Sequence, residues 1–285
     1  MSYLAQVSTG IKPQGQKIVI SAAPGMGKTT LACQSPGSLL IPLEDGYKTI
    51  TSPKLPMIMT WAQVEGLCQE LVAEAQRGKI APGSSIVWDS ATALERLIHI
   101  ETLNRDTQAN KQKLGKTHSM ETAHDGYGKA YPIANDLFAQ WLSYQDQLAI
   151  YGGINIVVTC HVFVVRVIDP AYGEYDTSEL LLHSPKNNKN YGKREHLTQW
   201  ADLIGYLHEP MIVTKNKDEK ISRGIDANQG RVLEVEFAPA WTAKNRYKLT
   251  QSIPISLDFG WNNLAEAIHK ASTIDIFNRA LVPTK

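Results

Sequence analysis

Cysteine is scarce and unpaired in this sequence. Cys33, Cys68 and Cys160 are isolated and odd in number, which excludes a disulfide framework or a zinc knuckle. Reduced, mostly buried thiols of a cytosolic protein are expected instead. Charge of one sign is lacking too: 29 Lys and Arg face 28 Asp and Glu, a net +1. A nucleic acid cannot then be held by the whole surface, and any cationic site has to be local. No apolar run approaches the ~20 residues of a membrane span, and residues 1–16 are polar without a signal-like apolar core. A soluble, cytoplasmic protein with no membrane partner is the expectation. Repeats, low-complexity tracts and clear linkers are missing as well, so residues 1–285 are expected to form one domain. Its core spans about 15–260, with a C-terminal helix and tail after it. With 43% hydrophobic residues the chain can bury a substantial core.

What is present is a phosphate-binding loop. Ser21-Ala22-Ala23-Pro24-Gly25-Met26-Gly27-Lys28-Thr29-Thr30 follows the apolar run Lys17-Ile18-Val19-Ile20 and precedes a helix-like segment. Strand, glycine-bearing loop and helix is the order such a loop requires. Gly25 and Gly27 permit backbone angles that a Cβ would block, and the N–H groups across Ala23, Pro24, Gly25, Met26, Gly27, Lys28, Thr29 and Thr30 can wrap a nucleotide's phosphates. Pro24 contributes no N–H itself. Lys28 suits the β- and γ-phosphate oxygens, and the Thr29 hydroxyl suits Mg²⁺. Ala22 stands where the pattern has its first glycine. An ordinary tight turn is the competing reading.

Further apolar runs end in polar groups. Residues 38–43 read as a strand running into Glu44-Asp45-Gly46. Ligands bind at the carboxyl ends of strands in open α/β sheets, so Glu44 or Asp45 could orient or deprotonate a water attacking a γ-phosphate. Residues 85–90, Ser-Ile-Val-Trp-Asp-Ser, place Asp89 where a second strand can hold Mg²⁺, although an N-cap would use the same residue type. Residues 154–159 form another strand closing on Cys160-His161, where His161 could donate a hydrogen bond to a γ-phosphate. Trp61 within the helical stripe of 61–76 reads as packing.

Residues 103–129 turn polar and read as a mobile excursion, either solvated or in contact with nucleic acid. Residues 162–168 and 180–183 read as the two strands of a hairpin. The following loop, 185–194, is basic around a tyrosine. Lys186, Lys189, Lys193 and Arg194 could clamp a phosphate backbone while Tyr191 stacks on a base. A flexible turn is the alternative. Helices are expected at 132–150, 195–201 and 261–270, and strands at 203–207 and 231–237.

The motifs at 22–29, 43–46 and 87–90, with Val158-Thr159-Cys160-His161, Gln199-Trp200-Ala201-Asp202, Gly230-Arg231-Val232-Leu233 and Ala243-Lys244-Asn245-Arg246-Tyr247, resemble bacteriophage ATPases built on a RecA-like core. The single-strand annealing and recombination members look most similar. The resemblance implies an α/β fold, a RecA-like P-loop NTPase core with a mostly parallel central sheet flanked by helices, plus a β-hairpin excursion. It implies a homo-oligomer, ring or filament, in which Lys244 and Arg246 reach a neighbouring subunit's nucleotide and stabilise spreading phosphate charge. Location in the host bacterial cytoplasm follows if the protein is phage-encoded.

The expected function is a Mg·ATP-dependent ATPase that binds single-stranded DNA and promotes annealing or recombination during infection. Lys28, Glu44, His161, Lys244 and Arg246 would serve catalysis, and Thr29 and Asp89 the metal. A single-strand-binding protein is a further candidate partner. A phosphotransferase acting on a small acceptor, and a nucleotide switch without turnover, remain open beside it.

Overall fold

Lys17–Ala22 forms β1, and five of its six residues are buried. A strand apolar on both faces belongs inside a sheet covered on both sides. The computed structural model describes residues 7, 14–106, 118–185, 192–215, 222–226, 230–256 and 258–276. In it β1 pairs in parallel with β4 (Asn155–Asp169) on one side and β6 (Leu203–His208) on the other. Beyond β4 lie β3 (Ser85–Asp89) and β2 (Leu39–Pro42), also parallel. Beyond β6 lie β9 (Arg231–Glu234) and β11 (Ile253–Ile255), antiparallel, while β10 (Lys244–Asn245) pairs with the start of β6. The order is β11-β9-β6-β1-β4-β3-β2. One strand, β4, therefore separates the strand before the glycine loop from the strand ending in Asp89.

Alternation along these strands divides the core. Val19, Ile86, Trp88, Ile156 and Val158 face one apolar cluster. Ile18, Ile20, Val87 and Val157 face the other. On the first face pack α2 (Trp61–Gln76), α3 (Ala91–Asn104), α4 (Ala130–Gly152) and α5 (Lys193–Trp200). On the second pack α1 (Lys28–Cys33) and α6 (Gly260–Ser272). The result is the mixed α/β, mostly parallel sheet flanked by helices that a P-loop NTPase core requires.

Local chemistry sets the helix ends. Thr60 and Gln63 form a capping box at the start of α2, and the Ser90 hydroxyl accepts from the Ala93 N–H at the start of α3. Gly153, with φ 63°, ends α4. Helix α4 begins ahead of Pro132, which its first turn tolerates because that turn's N–H groups have no helical partner anyway.

Two expectations need correction. The hairpin's second strand is β5 (Gly173–Leu180), pairing from Val162↔Leu180 to Asp169↔Gly173, and residues 181–183 lie beyond it. The excursion at 103–129 is not a loop throughout. Its beginning completes α3, and Met120 and Ala123 are buried in the core. His118 and His124 bond the Leu103 and Thr102 carbonyls, while 107–117 lie outside the described residues. A separate hairpin, β7 (Met211–Lys215) with β8 (Ser222–Asp226), was not anticipated.

Inside the first cluster the Trp88 indole N–H donates to Gln145 Oε1 at 2.9 Å, both residues being fully buried. Gln145→Leu keeps the volume and strands the indole N–H, so it should destabilise the fold by about 1–3 kcal/mol. Urea denaturation measures this, and an unchanged midpoint would mean that the bond contributes nothing net.

Candidate functional site

All the parallel strands end at one edge. Register aligns Ala22 with His161 and Pro42 with Asp89, so the glycine loop, the residues after β2, Asp89 and His161 converge there. Gly25 and Gly27 have φ of 81° and 87°, values glycine adopts at no steric cost. Gly27 is also the N-cap of α1, without a side-chain cap. The first N–H groups of that helix are thus left for an anion.

Asp89 is the most enclosed acid here, 2% exposed. Its Oδ2 accepts from the Thr29 hydroxyl at 2.9 Å, and its Oδ1 accepts from the Thr159 hydroxyl. Burial pushes its carboxyl pKa up, while the two hydroxyls and Lys28 work against that rise. A carboxylate in contact with the hydroxyls of Thr29 and Thr159 forms a hard oxygen set. Mg²⁺ fits such donors, since it takes one or two carboxylates and fills its remaining positions with water and phosphate oxygens. Among the described residues no cluster of three or more His, Cys, Asp or Glu forms a closed metal cage.

Lys28 is 6% exposed. Its ammonium donates to the carbonyls of Ala22 at 3.1 Å and Ala23 at 3.0 Å, which accounts for two of its three donors. Burial lowers its pKa, against the pull of Asp89 and Glu44.

Glu44 Oε1 lies 2.9 Å from His161 Nε2, and Oε2 lies 3.3 Å from Arg96. Burial raises the Glu44 carboxyl, but bonds and charge from His161, Ser90 and Arg96 outweigh it and leave the pKa below its usual value. An ionised carboxylate only accepts, so the Nε2–H of His161 is the donor. Asp45 instead pairs with Lys48 at 3.1 Å, both well exposed. Of the two candidate carboxylates, Glu44 is the one turned into the edge. The His161 backbone N–H bonds Thr92 Oγ1 at 3.2 Å, and that hydroxyl donates to the Leu181 carbonyl. The start of α3 is thereby tied to the root of the β4–β5 hairpin.

The remaining sequence candidates lie elsewhere. Lys193 is fully buried, 3.4 Å from Glu95 and 3.1 Å from His99 Nε2. Burial first, then Lys193, drives the His99 pKa down to about 3. Arg194 pairs with Glu179 and lies over the Phe163 ring. Both residues belong to α5 and not to a loop, so neither is free to clamp a phosphate backbone as expected. Lys186, Lys189 and Tyr191 lie outside the described residues. Lys244 and Arg246 sit at the opposite end of the sheet. Lys244 pairs in register with Ile204, which lies level with Val19. About 10 Å of strand separates that level from the loop. Lys244 bonds the Thr198 and Gln199 carbonyls at 2.7 and 2.9 Å. Arg246 bonds Asp202 and the Gln199 carbonyl at 2.9 and 3.0 Å. Two cations thus meet the carboxyl end of α5, a favourable helix-dipole arrangement. They cannot reach the loop of their own chain.

Sequence reasoning missed Thr159, Arg96 and Arg231. Thr159 carried a faint signal, a hydroxyl one step before the end of an otherwise apolar run. Arg231 lay within the motif Gly230-Arg231-Val232-Leu233 but was given no role, and Arg96 carried no signal.

A family model described as an AAA domain matches residues 14–247. No curated protein matches the chain.

Because the Asp89 pKa is raised in the folded protein, its stabilising contribution is present in acid and lost as pH rises through that value. Asp89→Asn, neutral at every pH, should melt no lower than the wild type at pH 8 and gain nothing from added Mg²⁺ with nucleotide. Thermal melts at pH 5 and pH 8 test this, and a variant less stable than the wild type at pH 8 would refute it.

Proposed function

From the premise that the chain belongs to the AAA domain family, and so to the P-loop ATPase type, we propose a Mg·ATP hydrolase working at the edge beyond β1, β3 and β4. The observation that carries this is the contact of Thr29 with Asp89 beside the Glu44–His161 pair. Thr29 and Asp89 would hold the metal, which supplies charge neutralisation between phosphates. Lys28 exchanges a loop carbonyl for a phosphate oxygen. Glu44, ionised at neutral pH, accepts from the attacking water and orients it. The His161 N–H has a choice of acceptor: Glu44 before nucleotide arrives, a γ-phosphate oxygen afterwards. That exchange frees Glu44 for water and moves the first residue of the hairpin.

The finer reading is an oligomer, ring or filament, that acts on single-stranded DNA in annealing or recombination during phage infection, with a single-strand-binding protein as a candidate partner. Its support is the sequence resemblance and the anchoring of the basic segment. Glu195 accepts from Ser184 Oγ at 2.5 Å and from the Gly192 N–H at 2.8 Å, which pins both roots of the stretch carrying Lys186, Lys189 and Tyr191. Lys193 and Arg194 serve as its anchors. DNA contact then falls to the two lysines and the tyrosine. Lys244 and Arg246 would serve a neighbour's nucleotide, and reaching it requires Arg246, half exposed, to leave Asp202.

Lys28→Ala should lose nucleotide binding, whereas Glu44→Gln should keep ATP bound and slow turnover by a factor on the order of 10²–10⁴. Binding and hydrolysis of labelled ATP, with and without single-stranded DNA, duplex DNA or nucleoside acceptors, check both. Wild-type turnover by Glu44→Gln would remove Glu44 from the mechanism. Phosphorylation of an acceptor would replace the hydrolase with a kinase.

Arg246→Ala should bind ATP and hydrolyse it poorly, since a cation supplied from a neighbour is worth about 10³–10⁵ in rate. Mixed with Lys28→Ala it should regain activity, because one interface then pairs an intact loop with an intact arginine. A dead mixture of variants that assemble and exchange subunits would leave Arg246 as no more than a helix cap.

A further inference from the structure

Arg231 lies against the glycine loop from the side opposite the acids. It opens β9, and its guanidinium approaches Gly27 so closely that a methyl group on Gly27 would sit 2.6 Å from Nη1. With Met26, Gly27, Thr30, Gln34, Leu207 and Ser256 it lines a small cavity beside the loop. Its one charged partner among the described contacts is Glu209, half exposed, at 3.3 Å from Nε. An ion pair this open to solvent is weak, so an anion arriving at the glycine loop can take the guanidinium at small cost.

The position of this cation relative to the acids decides what it can meet. Asp89, Thr159 and Glu44 lie toward β3 and β4, on one side of β1. Arg231 lies beyond β6, on the other side. A nucleotide is a linear chain of phosphates leading to a sugar, and Lys28, Thr29 and Asp89 set its terminal phosphates toward the acids. Its α-phosphate then falls toward β6 and β9, away from the metal pair. We infer that Arg231 is a nucleotide-binding residue whose guanidinium takes the α-phosphate, replacing Glu209 when the nucleotide binds. The ligand class is any nucleoside di- or triphosphate, because the contact lies on the phosphate that both share. This inference rests on the nucleotide-site reading above.

Arg231→Ala should raise the dissociation constants of ATP and ADP by the same factor, roughly tenfold to a hundredfold for one charge-assisted bond. Arg231→Lys should recover part of the affinity. Glu209→Gln should bind both nucleotides as tightly as the wild type or more tightly, because the competing carboxylate is gone. Titration calorimetry with ATP and with ADP, alongside thermal melts, reads all of these. Equal losses for the two nucleotides, with Glu209→Gln unimpaired, are the expected result. Unchanged affinities, a loss confined to ATP, or weaker binding by Glu209→Gln would each overturn the inference. Should Arg231→Ala fold poorly, Arg231→Lys and Glu209→Gln decide by the same criteria. The wild type and Lys28→Ala are the controls. A wild type that binds no nucleotide defeats the parent reading, whereas a wild type that binds and an Arg231→Ala that binds equally well defeats this inference alone.

Discussion

The Asp89 carboxylate holds three elements at one point. It ends β3, takes one hydroxyl from α1 through Thr29 and another from β4 through Thr159. Removing a carboxylate from water is costly, and the donor found by each oxygen offsets part of that cost. The same two bonds fix the spacing between the glycine loop and the acidic strand, although another strand lies between them. Parallel pairing brings β1, β3 and β4 to a common edge, and the buried acid holds their ends in place. Glu44 and His161 gather round this fixed point, one residue group from each of the flanking strands.

Buried charge is treated differently a few turns away. Lys193, Glu95 and His99 also meet in the interior, but they face one another and no open edge. Lys193 has its counter-ion at contact distance, and His99 is held neutral by burial and by that lysine. Such a closed set anchors α5 to α3 and leaves nothing to offer a ligand. The contrast between the two clusters is one of access: Asp89 has a glycine loop above it, whereas Lys193 is fully buried against Glu95 and His99 of α3.

Features set by neighbours in the chain were legible in the sequence. Gly25, Gly27, Lys28 and Thr29 act through local backbone geometry, and Asp89 announces itself by ending an apolar run. The alternation of Ile18, Val19 and Ile20 between two cores follows from strand period alone. Features set by neighbours in the sheet were not legible. Thr159 faces Asp89 only because β4 lies beside β3. Lys193 sits in a basic run that reads as surface, and only the placement of Glu95 and His99 on α3 makes it core. Lys244 and Arg246 look like free cations until β10 pairs with the beginning of β6 and turns them toward the end of α5. Arg231 belongs to a strand whose position beyond β6 no local pattern reports.

Strand β4 leaves the core without a break. Its first six residues are buried, and after His161 exposure alternates out to Asp169. Along the way its partner strand is clamped from outside: the Ser178 N–H bonds the Ala240 carbonyl at 2.9 Å, and the Thr242 N–H bonds the Ser178 carbonyl at 3.0 Å. Ser178 lies opposite Val164, so the clamp braces the hairpin three residues beyond His161. From that brace about 10 Å of strand leads back to His161 and about 16 Å leads out to Asp169. The stretch beyond it, with exposed Ile168 and Tyr172 near its tip, is carried out from the sheet by its pairing with β5.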